Sequence, residues 1–246
     1  MFSRNGVRSV TIWEGKLMKR ADFKSRITTG RSFYFLLPFA LVVISGCAAF
    51  QLGGDIAKGR MELMYGDPKV ALPYFQRAAA LDPNYITDFT LLREGVWTYV
   101  GRANYASGNL PEARSALERA RSRYAEDDLA KIYLGLVLGR EGDQQRGLKE
   151  IEAGLTGLAN WLDFIEFYHP RGYYWDPAKK IRSEARKNTA LIKGLDVNWK
   201  ELIANVEWIG KEMELEIDRA WQDEKRDIER DNDNRSALHY DRKSNG

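Results

Sequence analysis

Cysteine and histidine are nearly missing from this chain: its 246 residues hold one Cys and two His. A single thiol excludes an intramolecular disulfide framework and any cysteine-cluster metal site. The two imidazoles, His169 and His239, have no second histidine near them in sequence, so neither reads as a metal ligand. A phosphate-cradling loop ending in Gly-Lys-Ser and a dinucleotide fingerprint are also missing. A Ser-His-Asp site would have to use His169, and no nucleophile motif accompanies it. Asp163 and Glu166, at i and i+3 on one helix face, have the form of a glycosidase-like carboxylate pair, but surface acids at that spacing are common. These gaps point away from an enzyme, and no metal or cofactor is expected.

Basic charge is scarce outside the first segment. Residues 1–46 carry eight Lys or Arg against two acids, a net +6, while the whole chain sums to +3, which leaves −3 for everything after them. A mildly acidic body has no basic footprint with which to neutralise phosphates, so no nucleic acid partner is expected. At 44% hydrophobic and 30% charged, the chain is too apolar to be wholly disordered.

Long hydrophobic runs are also lacking. The apolar stretch Phe33 to Ile44 is twelve residues. It would reach about 18 Å as a helix, short of the roughly 30 Å hydrocarbon core of a bilayer. Behind a Lys- and Arg-rich flank it reads as a signal sequence over residues 1–46 rather than a permanent span. Met18, followed by Lys19 and Arg20, offers a second possible start within that leader. The stretch ends in Ile44, Ser45, Gly46 and Cys47: a branched apolar residue, two small residues and the lone thiol. This resembles the lipobox of bacterial lipoproteins. The resemblance implies cleavage before Cys47, which receives diacylglycerol and becomes the mature N-terminus, and export. With Ala48 rather than Asp next, it also implies sorting to the outer membrane, facing the periplasm. The partner at this end would be membrane lipid, held by several acyl chains.

What is present beyond the leader is a repeat. Gly101, Gly108, Ala113, Leu117 and Ala120 recur 34 residues on as Gly135, Gly142, Gly147, Ile151 and Gly154. An earlier copy, Gly59, Gly66, Ala71, Phe75 and Ala78, precedes the first set by 42, with the extra residues between Pro83 and Glu94 as a connector or a helix extension. Small residues suit a close helix crossing, with larger ones beside them. Gly66, Gly108 and Gly142 fall where turns with positive φ are expected. The segment YGDPKVALPYFQRAAALDP, residues 65–83, with Trp97 in the following copy, resembles tetratricopeptide repeats. That resemblance implies an all-α solenoid of helical hairpins over residues 47–161. It also implies a concave binding surface formed by the first helices, for which Tyr99, Arg102, Asn104, Tyr105, Tyr133 and Arg140 are candidates.

The rhythm then breaks. Seven of the seventeen residues 161–177 are aromatic, against 12% for the chain. Within this junction, residues 162–176, the aromatics either cap the solenoid or build a partner or ligand site from Tyr168, His169, Arg171, Tyr173, Tyr174 and Trp175. Asp176 before Pro177 reads as an N-cap, and Lys179, Lys180, Arg182, Arg186 and Lys187 as a solvated basic face. From Asn198 to about Asp231 there is no proline and one glycine, and Leu202, Val206, Ile209, Met213, Ile217 and Ala220 recur at steps of three or four. This predicts one long amphipathic helix closing the region 177–231, with 232–246 a polar, frayed tail. The reading that joins these parts is a lipid-anchored envelope scaffold or adaptor binding another envelope protein. The alternatives are an accessory ligand-binding subunit of a solute transport system and a cell-wall-active hydrolase.

Overall fold

Aspartates start several of the helices. Asp67 accepts from the Lys69 amide at 2.8 Å, Asp127 from Ala130 at 2.9 Å and Asp143 from Arg146 at 3.3 Å, each satisfying a donor that a helix start leaves orphaned. Pro68 and Pro111 sit in first turns, where a missing N–H costs nothing. The computed structural model describes residues 33–87, 91–194 and 196–244, with side chains from residue 49 to residue 235 of these. The structure is all-helical: α1 (Phe33–Tyr65), α2 (Pro68–Leu81), α3 (Val96–Ala106), α4 (Leu110–Arg123), α5 (Asp128–Arg140), α6 (Gln144–Tyr168), α7 (Lys180–Ile192) and α8 (Trp199–Ser244), with a 3-10 turn at Gly172–Tyr174. No strand occurs among the described residues, only an isolated bridge between Ile86 and Gly95.

The chain divides into two compact units, residues 1–43 and 44–246. The basic flank and Met18 lie outside the described residues. Ile44, Ser45, Gly46 and Cys47 belong to the α1 backbone, while their side chains lie outside the described set. Among the described residues no helix is long and apolar enough to cross a membrane.

In the second unit one contact is made three times. A Cβ on Gly59 would fall 2.5 Å from the Phe75 ring, one on Gly101 would overlap Leu117, and one on Gly135 would lie 2.6 Å from Ile151. The residue pairs are sixteen apart in every case, so three successive helix pairs close on the same register. Ala71, Ala78, Ala113 and Ala120 are buried beside these contacts. In the third pair the backbones come nearer still: Cβ atoms on Gly147 and Gly154 would meet Gly135 O and Asp128 O at 2.9 and 2.7 Å. Those two glycines, which look like a decayed repeat in sequence, are what a closer approach requires. Gly108 and Gly142 adopt φ of +81° and +95°, conformations that favour glycine. Gly66 does not, so the expected positive φ there is corrected: its backbone is ordinary, and its neighbour is the flexible Glu62 side chain.

Among the described residues the segment between Pro83 and Glu94 is a connector rather than a helix extension. Thr87 N donates to Glu94 O at 2.9 Å and Val96 N to Tyr85 O at 2.9 Å, drawing its two ends together, and Glu94 is buried. At the other end, α6 continues to Tyr168, and α7 begins at Lys180, three residues after Pro177. Asp176 does cap α7, but from a distance and with φ of +48°: its carboxylate accepts from the amides of Ile181 and Arg182 at 3.1 and 3.0 Å. The predicted stripe of α8, Leu202 to Ala220, is buried in full. The helix then runs on to Ser244 through a segment expected to fray, with its described part laced by i,i+3 and i,i+4 ion pairs such as Arg230–Asp227 and Lys225–Glu229.

Candidate functional site

α8 lies along the first helices of the three pairs. Trp199 fills the space over Gly139 of α5, and Gly210 gives room to the Tyr133 hydroxyl. Glu207 accepts from Tyr105 Oη of α3 and from Arg140 of α5, both at 2.5 Å. Glu214 accepts from Arg60 Nη2 of α1 at 2.8 Å and is paired with Arg102 of α3. Asp218 adds a second partner to Arg60 at 2.9 Å. Acids of α8 are therefore the groups that fasten it to α1, α3 and α5.

Beneath Glu214 lies a second buried carboxylate. Glu94 accepts from Tyr99 Oη at 2.6 Å and from Arg102 Nη1 at 2.8 Å. Burial and the charge of Glu214 push its pKa from the ordinary 4.5 to about 8, whereas Arg102 and Arg60 hold Glu214 below the usual range. Burial likewise raises Asp127, although it accepts from Thr98 Oγ1 at 2.6 Å and Gly95 N at 2.8 Å as well as capping α5. Asp127 thus ties the start of α3 to the start of α5.

The sign of the pH dependence follows from Glu94. The folded protein keeps a proton that the unfolded chain releases above about pH 4.5, so this group's contribution to stability falls as pH rises from there towards about 8. Glu214 acts oppositely, and its contribution is lost as pH falls below the carboxylate range. Glu94→Gln should therefore flatten the decline in melting temperature between about pH 5 and pH 8. A variant that tracks the parent across that window would show that Glu94 titrates normally.

Where the three first helices meet α8, a cleft of about 390 Å³ remains open. Arg102, Tyr105, Tyr133 and Arg140 line it, with Leu63, Met64 and Ala106 as apolar wall and Glu207, Lys211 and Glu214 from α8. Four of the six expected groove residues are thus brought together. The other two are not: Tyr99 is 1% exposed and stacks on Phe75 at 5.1 Å, and Asn104 is buried with its amide donating to Val100 O at 3.0 Å. The Tyr99 ring lies in the core, where Glu94 accepts from its hydroxyl.

The aromatic junction splits. Trp175 belongs to the core, 1% exposed, edge-on to Trp161 at 5.1 Å with its indole N–H on Glu224 at 2.7 Å, so as a surface candidate it is corrected. Tyr174 is half-buried against the same core. His169 ends α6 and accepts from the Arg171 amide at 3.3 Å, while Arg171 pairs with Asp227 and Asp231 at 3.2 and 2.9 Å. Tyr168 and Tyr173 remain exposed, Tyr168 against the exposed rings of Phe164 and Phe167.

Arg182, expected on a solvated basic face, is 1% exposed. It holds Asp176 at 3.1 Å, Trp175 O at 3.1 Å and Asp163 at 3.2 Å, and pairs with Glu166. Lys179 and Arg182 keep Glu166 below the ordinary carboxylate range, and Arg186 also pairs with Asp163. A general acid in a carboxylate pair needs the opposite shift to that of Glu166, and both acids are taken up by the cations Lys179, Arg182 and Arg186. No group of three or more His, Cys, Asp or Glu suited to a metal occurs among the described residues.

Sequence reading missed Arg60, Glu94, Asp127, Arg182 and Glu214. The available signal was register: Glu214 stands beside Met213 and four residues after Gly210, at the edge of the apolar stripe rather than opposite it. No protein-family model matches the chain, and neither a curated protein nor a solved structure is significantly similar to it.

Proposed function

We propose that this chain is a lipid-anchored adaptor of the bacterial cell envelope, built on tetratricopeptide-like hairpins and binding another envelope protein. The observation that carries the repeat reading is the thrice-made glycine contact, Gly59–Phe75, Gly101–Leu117 and Gly135–Ile151. Each hairpin buries one face against the next, the economy of a solenoid. The basic leader and Ile44–Cys47 support an anchor at the outer membrane facing the periplasm. Because α8 lies along α1, α3 and α5, the helices from which the resemblance would build a binding surface, the face left for a protein partner is the aromatic end, where Phe164, Phe167, Tyr168 and Tyr173 are exposed.

Crosslinking in native membranes followed by recovery of the lipidated chain tests this. One stoichiometric envelope protein is expected, lost when Phe167 and Tyr168 are both changed to Ser. Cys47→Ala should abolish lipid labelling. Unchanged labelling overturns the anchor, and a partner indifferent to the double change overturns the aromatic face. A second reading, an accessory ligand-binding subunit of a solute transport system, is favoured by the cleft against α8.

A further inference from the structure

The charges of the residues that line the cleft do not cancel. Arg102 and Arg140 are matched by Glu214 and Glu207, but Lys211, four residues after Glu207 and three before Glu214 on α8, has no ion-pair partner among the described residues. The lining itself therefore carries three cations against two carboxylates, with Glu94 behind Arg102 and the Arg60–Asp218 pair behind Glu214. A second observation is independent of this. Arg102 is 97% enclosed, and its Nε donor has no hydrogen-bond partner among the described residues, a costly arrangement for a buried polar atom. The remaining wall is apolar: Leu63, Met64, Ala106 and the rings of Tyr105 and Tyr133, which meet edge to face at 5.7 Å.

We infer that the cleft between α1, α3, α5 and α8 binds a small organic monoanion, a carboxylate with an apolar or aromatic body, whose charge is met by Lys211 on the α8 side. Its volume lies near the lower end of the range of small-molecule pockets, roughly 300–1,000 Å³. Glu207 and Glu214 repel a second negative charge, which disfavours phosphate and dicarboxylates. The apolar wall gives the body of the acid a place that a bare inorganic anion cannot use. The site stands whether the chain serves an envelope partner or a transport system, since it needs only the packed second unit.

The test uses the full-length protein purified in non-ionic detergent, titrated calorimetrically with phenylacetate and hexanoate and with their neutral amides. Each carboxylate is expected to bind at least about tenfold more tightly than its amide. Lys211→Met should erase that ratio while leaving the amide unaffected, and Lys211→Glu should abolish carboxylate binding. Lys211 is exposed and unpaired, so these variants fold even if an Arg102 variant does not, and unchanged melting temperatures check this. Equal affinity for acid and amide, a ratio that survives Lys211→Met, stronger binding of inorganic phosphate, or no binding in the millimolar range would each overturn the site.

Discussion

Glu214→Ala is expected to cost roughly 3–5 kcal/mol of unfolding free energy, the range for removing one partner from a buried ion pair. The side chain is enclosed between Arg60 and Arg102, themselves only 7% and 3% exposed, so its loss removes the carboxylate they share and leaves Arg60 with Asp218 and Arg102 with Glu94 alone. A domain with a total stability of about 5–15 kcal/mol cannot absorb that unnoticed. The damage should be directional, because Glu214 is the point at which α8 meets α1 and α3 together. Hydrogen exchange across residues 199–220 should accelerate more than across α4. Chemical denaturation and exchange measured on the same preparation check both parts. A loss below about 1 kcal/mol, the level of an exposed pair, would show that α8 is held by its apolar stripe alone.

A comparable loss, again roughly 3–5 kcal/mol, is expected for Arg182→Ala at the other end of the molecule. Removing that guanidinium strips the buried Asp176 carboxylate of its charged partner, leaving it only the amides of residues 181 and 182. It also orphans Trp175 O, and the Trp161–Trp175 packing rests on that segment. The near-ultraviolet dichroism of the tryptophans should weaken with the stability. Arg186→Ala is the control: half-exposed and paired with the half-exposed Asp163, it should change stability by no more than about 1 kcal/mol. Equal effects at the two positions would mean that burial of Arg182 carries no energetic weight.

These two arginines show where reading a sequence stops. Arg182 and Arg186 are four apart on one helix and look alike in a basic run, yet one is enclosed and the other is not. Periodicity ranks apolar residues well because burial is their default. It ranks charged ones poorly, since a charge goes inside only if an opposite charge from a distant segment is already there. Glu94, 120 residues before Glu214, is such a case. The groove residues divide for a related reason: Tyr105, Tyr133 and Arg140 could be placed by helix position, but Tyr99 turned inward because a carboxylate in the preceding loop receives its hydroxyl.

What the chain's order of residues determined alone was local and periodic: the helices, the turns at Gly108 and Gly142, the register of three glycine contacts and the apolar stripe of α8. Small side chains at fixed spacing allow only close helix crossings, and a stripe at steps of three and four allows only one buried face. Tertiary structure alone decided where that stripe would lie, along α1, α3 and α5, and so which charges would be enclosed and which cleft would stay open. Those outcomes depend on groups more than a hundred positions apart meeting within hydrogen-bonding distance, a pairing that no spacing along the chain encodes.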